Sequence, residues 1–173
     1  MDVSVVSVSG LDVEVKMSDG VAQLGGMDLD RIVHELLNEK FQAATGSPLT
    51  PEDSGMHIAQ TESLKEQLSD FPNRPYDIFS VKHGKVRVAL SQEEFVQRAM
   101  PIFETSMECV DRALSQAGFA PEAIDGVFMA GGTSSIPVLK EMLSAKFHLE
   151  PVRRNPSQAI ALGAAIYAGY RGL

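Results

Sequence analysis

Two adjacent glycines followed by three hydroxyl residues form the stretch of this sequence best suited to chemistry. Gly131 and Gly132 end the apolar run VFMA, and Thr133 to Ser135 lead into a helical pattern that opens at Ile136. Glycine permits positive φ and lets a ligand approach the backbone closely, and a helix N-terminus attracts anions. The stretch is neither a Walker A loop nor GxGxxG. Two interpretations therefore remain open, a phosphate contact and a plain strand-to-helix turn.

The segment ESLKEQLS is the second candidate for a binding site. Glu62 and Lys65 are three residues apart and so share one helix face, with Glu66 and Ser69 beside them. The alternative interpretation is a surface ion pair, which contributes only a few tenths of a kcal/mol. Taken alone, the segment favours the ion pair.

No pattern of metal-ligating or nucleophilic side chains stands out. His34-Glu35 begins like a zinc-protease helix, but Asn38 occupies the position of the second ligand. No GxSxG motif is present, and Cys109 is expected to be a small apolar filler in a helix. We therefore predict no metal site made of side chains and no catalytic residue. The remaining histidines are scattered: His57, His83 and His148.

Composition restricts the classes of partner. The 173 residues suit one domain or two small lobes, and the net charge of −8 argues against nucleic acid or an anionic membrane as the main partner. A single cysteine, Cys109, excludes an internal disulfide and predicts a reduced, cytoplasmic protein. The first residues lack a signal-peptide pattern, and the apolar run Ala159 to Tyr170 is shorter than the roughly 18 residues that a membrane span needs.

The strands that must position these residues are predicted from β-branched and alternating segments. Because strands begin at the first residues, we expect the chain to start inside a sheet, as a fragment would. A turn is predicted at Ser18 to Gly20, and His83-Gly84 separates two later strands. The predicted strands are Asp2 to Val8, Leu11 to Lys16, Val21 to Leu24, Tyr76 to Val81, Val86 to Leu90 and a buried strand just before Gly131.

Capping residues and apolar spacing predict the helices. The first has Asp28 as its N-cap, and Thr50-Pro51 opens a second that ends before Pro72. Ser91 and Glu94 form a capping box for a long helix that Pro101 should kink or split. The first helix has the apolar face Leu29, Ile32, Val33, Leu36, Leu37 and Phe41.

The last third of the chain adds three shorter helical segments. Pro121 to Asp125 predicts a helical turn, and a helix follows Ile136. Asn155-Pro156-Ser157 caps a last helix reaching about Arg171. The element order predicts an α/β protein, a mixed sheet with helices on its faces and an α+β subdomain inserted between about Gly26 and Phe103.

Taken together, these segments resemble the second lobe of the ATPase domain of the 70-kDa heat-shock chaperones of DnaK type, within the actin-like ATPase superfamily. They fall in the family's order and span nearly the whole chain. The segments that carry the resemblance are DVSVVSV, QLGGMDLD, ESLKEQLS, VFMAGGTSSIP and NPSQAIALGAA.

The resemblance implies a ribonuclease-H-like subdomain, residues 2–24 and 105–173, which carries an inserted subdomain, residues 25–104. It implies ATP or ADP with Mg²⁺, and K⁺ in the intact parent, as ligands of a cleft between two lobes. Asp2 matches an acidic residue near the cation. The positions that match nucleotide-binding residues are Gly26, Glu62, Lys65, Ser69, Gly131, Gly132, Thr133 and Ser135.

The resemblance also implies what this chain lacks. The family's glycine-rich phosphate loop, catalytic lysine and most cation-organising carboxylates belong to the first lobe, and a peptide-binding domain follows the second. We therefore predict that this chain alone does not hydrolyse ATP. Arginines that clamp the adenine in the family are replaced by Glu66 and Ser135, while Met27 replaces a usual Glu and Ser157 a usual Asp.

Three functions follow from these observations. The first is a nucleotide-binding lobe of a chaperone ATPase that acts in the stress response. The second is a non-catalytic scaffold that binds a nucleotide-exchange factor or a co-chaperone, for which the altered adenine positions are suited. The third is a sugar- or acid-kinase relative of the same superfamily, which ESLKEQLS and NPSQAIALGAA disfavour.

Overall fold

The computed structural model describes residues 1–10, 12–22, 24–155 and 158–171 of the chain. The chain divides into two compact units. Unit 1 comprises Met1–Gln23 and Glu104–Leu173, and unit 2 comprises Leu24–Phe103. Pro156 and Ser157, part of the expected start of the last helix, lie outside the described residues, as does Leu11.

Helices and strands are mixed along the chain, so the fold class is α/β as predicted. Single 3₁₀ turns occupy Pro121–Ala123 and Gly132–Ser135. The longer elements are β1 Asp2–Ser9, β2 Asp12–Gly20, α1 Gly26–Thr45, α2 Pro51–Ile58, α3 Thr61–Asp70, β3 Asn73–Ser80, β4 Gly84–Ser91, α4 Gln92–Ala117, β5 Phe128–Met129, α5 Pro137–Phe147, β6 Val152–Arg153 and α6 Ala159–Arg171.

The strands of the described residues pair as three two-stranded sheets. β1 with β2 and β3 with β4 are antiparallel, whereas β5 and β6 are parallel. The β1–β2 register shifts between Val5 and Val6, so that Val5 faces Met17 and Val6 faces Val15. Val5 is buried in unit 1, whereas the next residue, Val6, is exposed.

Each unit has an apolar core of its own. In unit 2 the predicted face of α1 is buried, from Leu29 to Phe41, which confirms the spacing argument. In unit 1 the buried cluster joins β1, α4, β5 and α5. Its members are Val5, Val110, Ala113, Leu114, Met129, Leu143 and Phe147.

Several predicted boundaries are wrong. β2 runs through the expected turn to Gly20, and the described residues from Val21 to Leu24 form no strand. Val21 instead exchanges backbone hydrogen bonds with Met1. The N-cap of α1 is Gly25, and the Asp28 carboxylate, three residues on, accepts a hydrogen bond from the Gly25 N–H.

The capped helix starts predicted at Thr50 and Ser91 are confirmed, and the predicted helix interruption is not. Thr50 caps α2 and Ser91 exchanges capping hydrogen bonds with Glu94. The single helix expected after Pro51 is two helices, α2 and α3. Pro101 does not split α4, which is continuous.

None of the helices in the described residues is both long enough and apolar enough to cross a membrane.

Candidate functional site

The predicted site residues are divided between the two units. Asp2 and the glycine–hydroxyl stretch lie in unit 1, whereas Gly26, Glu62, Lys65 and Ser69 lie in unit 2. Within each unit the structure fixes how these residues are held.

The glycine pair forms a corner after β5. Gly131 has φ +87°, in the left-handed region that favours glycine, and Gly132 begins a 3₁₀ turn that precedes α5. A Cβ built on either glycine would meet no heavy atom within 4 Å. We name Gly131 and Gly132 the glycine corner. Its backbone borders open space, as do the other positive-φ glycines Gly10, Gly46, Gly84 and Gly118, so this geometry is compatible with a phosphate contact and with a plain turn.

Hydroxyl groups after the glycine corner brace the loop from within. The Ser134 hydroxyl, which is buried, donates to the Gly131 carbonyl at 2.6 Å, and the Ser135 hydroxyl donates to the Gly132 carbonyl at 2.5 Å. These bonds hold the corner in shape. The Ser134 and Ser135 hydroxyls thus donate to the carbonyls of the two glycines, whereas no such bond joins Thr133 to either glycine.

Asp2 lies at the start of β1, opposite Gly20. The Asp2 side chain is exposed. Among the described residues, no group of three or more His, Cys, Asp or Glu side chains is placed to hold a metal ion. Asp19, on the same hairpin, accepts a hydrogen bond from Arg112 of α4 at 2.7 Å. This bond, helped by the Gly20 N–H, lowers the pKa of the Asp19 carboxyl.

In unit 2, Lys65 is the centre of a contact group. Its side chain is only 8% exposed, and its ammonium lies 2.8 Å from the Asp30 carboxylate on α1. The ammonium also lies 3.5 Å from the carbonyl of Gly26, the first residue of α1. The alternative interpretation, a surface ion pair between Glu62 and Lys65, is therefore wrong, because Lys65 is buried and pairs with Asp30 on α1.

The neighbours of Lys65 on α3 differ in their contacts. The Ser69 hydroxyl donates to the Lys65 carbonyl at 3.3 Å, one turn away. Glu62 and Glu66 are exposed. The structure thus brings Gly26, Lys65 and Ser69 together, with Glu62 at the solvent side of the same helix.

Asp30 is the residue of this group that sequence reasoning missed. It belongs to QLGGMDLD, whose order carries the family resemblance, and it follows Gly26 by one helical turn. An acidic residue four positions after a glycine is only a weak indication of a binding-site contact. Its partner lies on another helix, so only the packing of α1 on α3 identifies it.

The architecture defines the class of protein first. A mixed α/β chain in which one compact unit is inserted into the other matches a fragment of an actin-like ATPase. The family model for the Hsp70 protein matches residues 1–171. The chain therefore belongs to the Hsp70 family.

Curated relatives agree with this assignment. The chain is 32% identical over 97% of its length to Chaperone protein dnaK3 of Synechococcus elongatus, and equally to Chaperone protein DnaK 1 of a Synechococcus species, covering 24% of each. It is 31% identical over 96% of its length to a Chaperone protein HscA homolog of Burkholderia multivorans, covering 27% of that protein. The chain spans about a quarter of the length of these relatives.

Proposed function

We propose that this chain is the second lobe of a DnaK-type ATPase domain and supplies adenosine and phosphate contacts to ATP or ADP. Residues 2–24 and 105–173 are the ribonuclease-H-like subdomain of this proposal, and residues 25–104 are its inserted subdomain. Family membership provides the class of ligand. The observation that carries the proposal is the glycine corner, a left-handed Gly131 beside open space at the entrance to α5.

Unit 2 supports the adenosine half of the proposal. Lys65, Gly26 and Ser69 form one hydrogen-bonded group, and Glu62 lies exposed on the same helix. An amine, a carboxylate and a hydroxyl on one helix are the donor and acceptor types that a ribose and an adenine engage. Thr133 belongs to the phosphate half next to the glycine corner, and Ser135 occupies a position at which the family carries an adenine-clamping arginine.

The cation is the part of the ligand that this chain serves least. Mg²⁺ prefers several oxygen ligands, and Asp2 offers one exposed carboxylate. In this proposal Mg²⁺, and K⁺ in the intact parent, are held mainly by the first lobe. The other proposed partners are the peptide-binding domain and a nucleotide-exchange factor or co-chaperone, in the cytoplasm.

A single methyl group tests the glycine corner. Gly132 has space for a Cβ, so Gly132→Ala should fold like the parent while its methyl occupies the space that we assign to phosphate. We expect the Kd for ADP, measured by isothermal titration calorimetry with Mg²⁺, to rise about tenfold or more.

Gly55→Ala is the matched control. Gly55 also borders open space but lies in α2, which contributes no residue to the proposed site. This variant should leave the Kd within about twofold. Equal ADP binding by the unsubstituted chain and by Gly132→Ala would contradict the placement of phosphate at the glycine corner.

Two substitutions favour a second candidate, the non-catalytic scaffold. Glu66 is exposed and anionic, and the Ser135 hydroxyl donates to its own loop. Neither side chain carries a guanidinium, so neither can place a cation on the face of an adenine. Each lost cation–π contact is worth about 0.5–2 kcal/mol, so the loss of two weakens binding by about 1–4 kcal/mol, or roughly fivefold to nearly a thousandfold. Absence of heat with millimolar ADP would favour the scaffold, whereas binding that disappears in Gly132→Ala favours the nucleotide lobe.

A further inference from the structure

We infer that Asp30 is the positioning residue for Lys65, and that it fixes the ammonium at the start of α1 for use by the nucleotide. The inference rests on the proposed function for its ligand and on contacts within unit 2 for its geometry. Asp30 has no role in the prediction from sequence, and its contact with Lys65 joins α1 to α3.

A lysine ammonium has three N–H donors. The Asp30 carboxylate lies 2.8 Å from Lys65 Nζ and the Gly26 carbonyl 3.5 Å from it, both on α1 and one helical turn apart. In the part of the chain that the structure describes, the Gly26 carbonyl accepts a hydrogen bond from this ammonium, whereas Asp30 Oδ1 makes an ion pair without hydrogen-bond geometry. N–H donors of the ammonium are therefore left for atoms of a bound ligand.

The Lys65 side chain is buried and therefore restricted in its motion. A free lysine side chain samples many rotamers, and a buried ammonium is costly unless it is paired. Lys65 is 8% exposed and Asp30 is 22% exposed. Because the carboxylate neutralises the ammonium inside unit 2, Lys65 can stay buried, charged and in one rotamer. Without Asp30 the ammonium would be buried and unpaired, so the Lys65 side chain is expected to turn toward water.

Calorimetry on the full chain tests the inference with three variants. Asp30→Asn keeps the shape of the side chain and removes its charge, and we expect the Kd for ADP to rise about tenfold. Asp30→Glu, which restores the charge, should recover part of that loss. In a Lys65→Met background, Asp30→Asn should change the Kd by less than about twofold, because the residue acts through Lys65.

Asp77→Asn is the matched control for the loss of one charge. Asp77 pairs with Lys85 at the same distance of 2.8 Å and has a side chain 25% exposed, but it lies on β3. This variant should leave the Kd within about twofold. All variants are compared at a temperature at which circular dichroism shows them folded.

A second measurement needs no nucleotide. Acetylation of lysines by a limiting reagent, followed by mass spectrometry, reports how accessible each amine is. We expect Lys65 to react about tenfold faster in Asp30→Asn than in the parent, while Lys85, already 57% exposed, changes little in Asp77→Asn.

The outcomes separate the two claims. If the parent binds ADP and Asp30→Asn binds it equally well, the positioning role is overturned and the proposed function stands. If the parent binds no ADP, the proposed function is overturned, and the rate of acetylation decides the positioning of Lys65. An unchanged rate at Lys65 in Asp30→Asn overturns the inference on its own.

Discussion

At the scale of single residues, Asp53 shows how a helix of unit 2 is attached to a strand. Its side chain is 1% exposed. It accepts hydrogen bonds from the Val81 N–H at 2.9 Å, from the Ser80 hydroxyl at 3.1 Å and from the Thr50 N–H at 3.3 Å. The bond from Val81 is the main reason that the pKa of Asp53 is lowered, with Thr50 and Ser80 adding to it and burial opposing it.

A lowered pKa makes this contact sensitive to acid. Above the ordinary value of 3.8 the carboxylate is charged in both states, and its contribution to stability is fully present. As the pH falls below that value, protonation is first favoured in the unfolded chain, so the contribution is lost through the pKa of the folded state. We expect Asp53→Asn to be less stable at pH 7, by roughly 5 °C in Tm, and to show a weaker fall in Tm between about pH 4 and pH 2.

Glu52→Gln serves as the control for this acid dependence, because Glu52 lies in the same turn and is exposed. Thermal melts followed by circular dichroism across this pH range measure both variants. An Asp53→Asn protein that loses stability in acid as steeply as the parent would contradict the role of this carboxylate.

The Asp53 contacts also mark how far the sequence predicts individual residues. The helix start at Thr50-Pro51 follows from the sequence, and the capping contact between Thr50 and Asp53 lies within that one helical turn. The bonds to Ser80 and Val81 span 27 and 28 residues. Asp30 was missed for the same reason. A side chain whose partner lies on a distant element has no local pattern to indicate it.

At the scale of elements, local signals predict the starts of α2 and α4 but not where a helix is interrupted. The apolar face of α1 follows from its spacing. No glycine or proline separates Ile58 from Thr61, yet α2 ends there, where the buried Thr61 hydroxyl donates to the Ile58 carbonyl at 2.7 Å. The interruption depends on packing, which the spacing of apolar residues does not encode.

Strand β2 shows the opposite error, because a sequence rich in turn residues is held in a ladder. Ser18 to Gly20 pair with the first residues of β1. A Cβ on Gly20 would lie 2.7 Å from the carbonyl oxygen of Met1, which is backbone and accepts the Val21 N–H. Glycine is therefore required here by its neighbours.

Gly20→Ala should destabilise unit 1 for this reason. Forcing a backbone shift of this kind costs about 1–3 kcal/mol, and we expect a fall in Tm of roughly 2–10 °C. The control is Gly163→Ala in α6, where a Cβ meets nothing within 4 Å, and where alanine should raise stability by about 0.5–1 kcal/mol. Differential scanning calorimetry of both variants checks the pair. Equal melting temperatures for the parent and Gly20→Ala would contradict the close approach to Met1.

At the scale of the whole molecule, the chain spans about a quarter of its curated relatives, and its predicted nucleotide residues include no catalytic group. Phosphoryl transfer depends on positioning and on charges placed around the transferred group. We expect the 173-residue chain to release phosphate from Mg²⁺–ATP no faster than buffer. A coupled steady-state assay on purified chain measures this, and turnover that scales with protein concentration and is lost on adding a chelator would contradict it.

The division of the chain has a kinetic consequence. Residues 24–103 form unit 2 from a continuous segment, whereas the core of unit 1 must bring Val5 onto Val110 and Leu143. Joining ends that far apart in a loose chain is entropically costly, and a collapsed insert shortens the span to be closed. During synthesis we therefore expect unit 2 to fold first. The β1–β2 hairpin is expected to leave Val5 exposed until α5 has been synthesised.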